Sequence, residues 1–166
     1  MKQNRILSSI IFCGILLGAC EEIKVYDPEP SISYKEFRYT DTTLVFEFID
    51  GDGDLGLDQF DTIGPFNDDS SYYYNLFVTF FEYNNGEFDE IEFKIPPHNR
   101  FGVIPTPEGN NKTLQGTVEV KMNQTFPMPA PDSFMIEFFI VDRALNESNT
   151  DSTGILTSRE LENNFQ

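Results

Sequence analysis

From Ser31 to about Thr157, the apolar residues of this chain recur at every second position. Leu44, Phe46 and Phe48 alternate with Val45, Glu47 and Ile49, and Leu76, Val78 and Phe80 with Phe77, Thr79 and Phe81. Ile91, Phe93 and Ile95 repeat the pattern, as do Leu114, Val118, Val120 and Met122, and then Phe134, Ile136, Phe138 and Ile140. Residues two apart on a strand share a face, so each segment presents one apolar face to a core. No segment carries a convincing helical stripe at i, i+3, i+4, i+7. The alternation predicts an all-β fold, an antiparallel Ig-like β-sandwich of about seven strands. The strands fall near 32–39, 43–50, 73–83, 88–95, 113–122, 133–142 and 154–157. Asn84-Asn85-Gly86 reads as a hairpin turn, because Asn and Gly tolerate positive φ. Two connections are long, 51–71 and 96–111, and long loops in compact domains are usually functional or mobile. With 17 Phe, 7 Tyr and no Trp, aromatic rings dominate the core, each removing ~150–250 Å² from water when buried.

A different segment precedes this region. MKQNRILSSIIFCGILLGAC has Lys2 and Arg5, then an apolar run from Ile6 to Leu17. That is the layout of a secretory signal peptide, too short and wrongly flanked for a spanning helix. Leu17-Gly18-Ala19-Cys20 resembles the lipobox of bacterial lipoproteins. The resemblance implies that Cys20 is lipidated and becomes the first mature residue; the plainer alternative is a secreted protein cut after Ala19. The chain then divides into a signal peptide (1–19), a lipidated N-terminus with an acidic linker (20–30), the sandwich (31–157) and a flexible tail (158–166). Glu21-Glu22 resembles the surface-export signal of Bacteroidetes lipoproteins, and a solvated linker accounts for the pair equally well. The expected location is the cell outer membrane, held by lipid, on the external face if the export signal operates.

Charge and cysteine count narrow the partners. The chain carries a formal charge of −17, which repels phosphate backbones and excludes nucleic acid as a natural partner. It also opposes an anionic membrane surface, so attachment falls to the lipid. Cys13 lies in the signal peptide and Cys20 is the lipid site, leaving no cysteine for a disulfide, a thiolate metal site or a nucleophile.

The motif that carries chemistry is Phe46-Glu47-Phe48-Ile49-Asp50-Gly51-Asp52-Gly53-Asp54-Leu55-Gly56, followed by Asp58 and Asp61. A hard cation needs six to eight oxygens at ~2.3–2.6 Å, and a curled Asp-Gly repeat can supply several. Asp50, Asp52, Asp54 and Asp58 match acidic positions of a helix–loop–helix Ca²⁺ loop. Leu55 stands where the sharp-turn glycine belongs and a strand precedes, so this is no EF-hand. The candidate is a Ca²⁺-binding turn on a β-scaffold; the competing reading is an acidic turn whose glycines only permit positive φ. Asp50 and Asp142 end strands whose following loops meet at one end of an Ig-like sandwich. Asp142 and the carbonyl of Asn146 can then join the site, unless Asp142 pairs with Arg143 or caps a turn.

FEFIDGDGDLG, YNLFVTFFEYNNGEF and FFIVDRALNESN together resemble a group of uncharacterised Bacteroidetes outer-membrane lipoproteins. Those have a single Ig-like domain with an Asp-Gly-Asp-Gly-Asp motif and a late Asp-Arg-Ala-x-Asn turn. The resemblance implies the fold and no activity. Leu145 departs from it, standing where such turns often have Gly.

Catalysis reads poorly. His98 is the single histidine, and a lone histidine beside two prolines reads as a loop residue. Neither a serine–histidine–carboxylate order nor a phosphate-cradling loop appears, and the Asp-rich turn offers no visible context for a buried acid. The expected function is a non-enzymatic, lipid-anchored interaction module, calcium-stabilised, with its protein or glycan partner unidentified. The alternative is a glycan-binding accessory lipoprotein of nutrient uptake, in which Tyr72-Tyr73-Tyr74 stack on sugars rather than begin a core strand. Asp41-Thr42-Thr43, Asp61-Thr62-Ile63 and Asp151-Ser152-Thr153 resemble Bacteroidetes O-glycan acceptors.

Overall fold

The computed structural model describes residues 25–122 and 125–159. The expected signal peptide, Cys20, the expected linker up to residue 24 and the tail from residue 160 lie outside them. The described chain is an all-β sandwich. Its strands are β1 (Ser31–Arg38), β2 (Thr43–Asp50), β3 (Leu76–Asn84), β4 (Glu87–Glu90), β5 (Leu114–Lys121), β6 (Ser133–Ile140), β7 (Asp151–Ser152) and β8 (Leu156–Thr157). One sheet has the order β1-β2-β5; the other runs β4-β3-β6-β7, with β8 also on β6. The chain crosses between sheets after β2, β4 and β5, as an Ig-like Greek key requires, and every strand pair is antiparallel.

The core is what the alternation demands. Leu44, Phe46 and Phe48 of β2, Leu76, Val78 and Phe80 of β3, and Phe134, Ile136, Phe138 and Ile140 of β6 all point inward and are buried. Phe46 meets Phe138 across the two sheets with ring centroids 5.2 Å apart, and Phe126 packs edge-on against Phe80 and Phe134 at 5.6 and 5.2 Å. In β1 the period breaks. Ile32 and Phe37 are five apart and should face opposite sides, yet both are buried. The register shift between Tyr34 and Glu36 is a β-bulge that restores Phe37 to the core. The β3–β4 turn has Asn85 at φ 52 and Gly86 at φ 95, the two positive φ values of a tight hairpin.

Three boundaries differ from expectation. The strand expected at 73–83 starts at Leu76, because Ser70 caps a 3₁₀ turn over Ser71–Tyr73. The strand expected over 88–95 ends at Glu90. Pro96 and Pro97 have no N–H to give to β3, so the chain bulges away after Ile91 and returns at Asn99, which exchanges two hydrogen bonds with Leu76 at 2.8 and 2.9 Å. Between those points His98 Nδ1 accepts the Val78 N–H at 3.1 Å. Finally, the strand expected at 154–157 is only Leu156–Thr157, and Gly154, at φ 66, separates it from β7, a short strand at Asp151–Ser152 that was not expected.

The outer edge of β1 is closed by side chains. Asn149 accepts the Ile32 N–H (2.9 Å) and donates to the Ile32 carbonyl (3.0 Å), and Asp151 accepts the Tyr34 N–H at 2.6 Å. Asn149→Ala removes two of these bonds and is expected to cost about 1–2 kcal/mol. Chemical denaturation should register that loss, and hydrogen exchange should speed up in β1 before the rest of the sandwich.

Candidate metal centre

Strand parity builds this site. Asp50 is the next inward position after Phe48 on β2, and Asp142 continues the inward parity of Ile140 two residues past the end of β6. Both strands lie inside their sheets, so two carboxylates are carried into the end of the apolar core. Asp50 is 0% and Asp142 1% exposed, which overturns the expectation that the Asp-rich turn holds no buried acid. Asp52 and Asp54 follow on the loop. One carboxylate oxygen from each of Asp50, Asp52, Asp54 and Asp142 lies within 4.8 Å of the others, and the four can hold a metal ion.

The hydrogen bonding is uneven. Asp142 is well held: Asn146 donates its backbone N–H to one oxygen and its Nδ2 to the other, both at 2.8 Å. Asp142 thus caps its own turn and also joins the cluster. Leu145 takes φ 69 in that turn, a left-handed value that costs a branched side chain about 1–2 kcal/mol. By contrast, both Asp50 oxygens and Asp54 Oδ1 are buried with no hydrogen-bond donor. Burial pushes the Asp50 carboxyl up to about 6, helped by the neighbouring carboxylates of Asp52, Asp54 and Asp142. Burial also raises Asp54, with Asp142 and Asp52 adding to it, against the pull of Arg143 and the Ala144 N–H. Arg143 turns a guanidinium nitrogen to the Gly56 carbonyl at 3.3 Å. Among the described residues, no ion pair reaches the four carboxylates.

The loop is held by other backbones. A Cβ on Gly51 would sit 2.2 Å from the Asp27 carbonyl oxygen, which accepts the Gly51 N–H at 3.0 Å. Gly53, at φ 73, would place a Cβ 2.2 Å from the Lys112 carbonyl oxygen. Leu57 donates to Phe101 and Ile104 to Leu55, each at 3.2 Å. Thr106 and Thr113 donate hydroxyls to the Gly53 and Gly51 carbonyls at 2.6 and 3.3 Å. Leu55 is fully buried in the core, which explains a leucine where an EF-hand has its glycine. These bonds occupy the Gly51, Gly53 and Leu55 carbonyls.

Asp58 stands apart from the group: its carboxylate accepts the Phe60 N–H at 2.9 Å. Asn146 adjoins the group, but its carbonyl accepts the Asp142 N–H at 3.1 Å, so its part here is to position Asp142. Sequence reasoning missed Asn75 and Arg100. Asn75 is buried and ties three segments together: its amide pairs with Phe101 N–H (2.8 Å) and carbonyl (2.9 Å), while its own carbonyl accepts Val141 N–H (3.0 Å). Arg100 donates to the carbonyls of Tyr73, Asp58 and Asp61 at 2.6–2.8 Å and lies over the Tyr73 ring. Asn and Arg in loops are too common for sequence to single these out. Of the three acceptor-like tripeptides, Thr42 is buried, Ser152 lies in β7 and Thr62 is exposed.

Between its ordinary value of 3.8 and its folded value of about 6, Asp50 keeps a proton in the folded state that the unfolded chain has released. Its contribution to stability therefore falls as pH rises across that window. Cation-free protein should lose thermal midpoint from about pH 4 to about pH 6, and Asp50→Asn should flatten that slope and raise the midpoint at pH 7, read by melting curves across pH. Comparison with protein-family models, with curated proteins and with solved structures finds no match to this chain.

Proposed function

We propose that this protein is a non-enzymatic, lipid-anchored β-sandwich of the cell outer membrane, whose Asp-Gly loop binds Ca²⁺ and is stabilised by it. The observation that carries the ion reading is Asp50: a fully buried carboxylate with no donor, facing three other carboxylates. Such charges persist together only around a cation or with some protons retained. The donor set is all oxygen, which suits Ca²⁺, Mg²⁺ or Mn²⁺ rather than zinc. The four ligand oxygens lie within 4.8 Å of one another, close enough to share one such ion. The anchor reading rests on the Leu17–Cys20 motif. No helix among the described residues is long and apolar enough to cross a membrane.

Ca²⁺ at about 100 times its Kd should stabilise the mature chain by ~2.7 kcal/mol relative to EDTA. Differential scanning calorimetry checks this, and Asp52→Asn with Asp54→Asn should abolish the gain. An unchanged midpoint in the wild type removes the ion. Cys20→Ala should move the protein from the membrane fraction to the soluble fraction.

The glycan-binding alternative is favoured by one observation. Tyr72 and Tyr74 do not start a core strand; both are half-buried, Tyr72 edge-on to Phe77 of an outward Phe77–Phe139 pair stacked at 4.8 Å and Tyr74 edge-on to His98. A glycan array on which wild type and Phe77→Ala give equal signals would dismiss that reading.

A further inference from the structure

Three of the most exposed large apolar side chains are Val25 (87%), Phe60 (78%) and Ile63 (84%). All three lie on segments that enter or leave the sandwich at one end. Val25 is two residues from Asp27, whose carbonyl accepts the Gly51 N–H at 3.0 Å. Phe60 and Ile63 lie on the connection that leaves the same point, the end of β2. Their turn is braced: Asp61 N–H bonds the Asp58 carbonyl at 3.1 Å, the Asp61 carboxylate accepts the Asp58 N–H at 2.8 Å, and Arg100 holds both carbonyls. Phe60 and Ile63 are thus held outward on a fixed turn.

A single exposed apolar side chain needs no explanation, so the tether is the second observation. Seven Cα–Cα steps separate Cys20 from Asp27, which fully extended span at most about 25 Å. An acyl chain on Cys20 would keep the Gly51 end of the sandwich within that distance of the bilayer. The hairpin at Asn85-Gly86 lies at the opposite end of β3.

We propose that the Phe60–Ile63 turn, with Val25, is a membrane-contacting tip, with Phe60 and Ile63 seated in the headgroup–acyl boundary of the bilayer that holds Cys20. This rests on the lipid-anchor reading and not on the ion. Contact at this end fixes the orientation of the domain: the outward aromatic face of the β3–β6 sheet stands across the membrane normal, and the β3–β4 hairpin points away.

The chain has no Trp, so Phe60→Trp creates a sole reporter. Full-length acylated protein is reconstituted into vesicles of phosphatidylethanolamine and phosphatidylcholine, which carry no net charge to repel the acidic domain, containing brominated lipid. Mass spectrometry of the N-terminal peptide reads the anchor separately. The expected result is blue-shifted emission, quenched roughly twofold or more in excess by shallow over deep bromines, because interfacial side chains lie ~5–10 Å into the boundary. Phe88→Trp, near the far hairpin, should be unquenched. Ile63→Trp gives the same test if Phe60→Trp does not fold. Acylated protein in which the Phe60→Trp and Ile63→Trp variants both stay unquenched overturns the tip while leaving the anchor standing. Quenching of the Phe88→Trp variant equal to theirs overturns it as well.

Discussion

A carboxylate cannot sit alone at the end of an apolar core, and the alternation that buries Leu44, Phe46 and Phe48 carries Asp50 to that place. Much of the surrounding architecture answers this constraint. Asp142 reaches the same end by the same parity from the other sheet, so the strands that make the core also concentrate charge at its rim. Asn146 neutralises part of the difficulty by directing two donors at Asp142. Nothing similar is offered to Asp50. The strained φ of Leu145 belongs to the turn that delivers those donors, and backbone strain of this kind collects where a site must be held in one geometry.

The acidic loop is held by crossing segments. Asp27, Lys112 and Phe101 come from the linker, the approach to β5 and the long β4–β5 connection, and each contacts the loop backbone. Asn75 and Arg100 fasten the same neighbourhood from the β3 side. The glycines at 51 and 53 are thus needed for close approach as much as for curvature, since a side chain at either position would run into a carbonyl. Preorganisation of this kind keeps like charges together that would otherwise spread apart.

The sandwich was legible because two-residue periodicity is a direct imprint of strand geometry, and the Asp-Gly-Asp-Gly-Asp run marked the loop because few other roles explain it. What stayed hidden depends on partners distant in sequence. The early end of β4 follows from Pro96 and Pro97, readable in hindsight; the recruitment of His98 Nδ1 as a substitute rung is not. Asp58 looked equivalent to its neighbours by spacing, yet its carboxylate folds back on its own turn. Burial of Asp50 was the most readable of the missed signals: an acid on the inward parity of a central strand should have been expected to be enclosed.

The closure of β1 has a consequence for crowding. A strand edge with unpaired amides invites pairing with another copy of itself, and natural sheets block such edges. Here Asn149 and Asp151 fill the β1 edge from within the same chain, and the β5 edge carries Glu119 and Lys121 on its outward side. For molecules confined to a surface at high density, as proposed for this one, lateral strand-to-strand growth is the natural route to aggregation. The asparagine that ties β1 down also withholds that route, so its loss should be felt in colloidal behaviour as well as in folding.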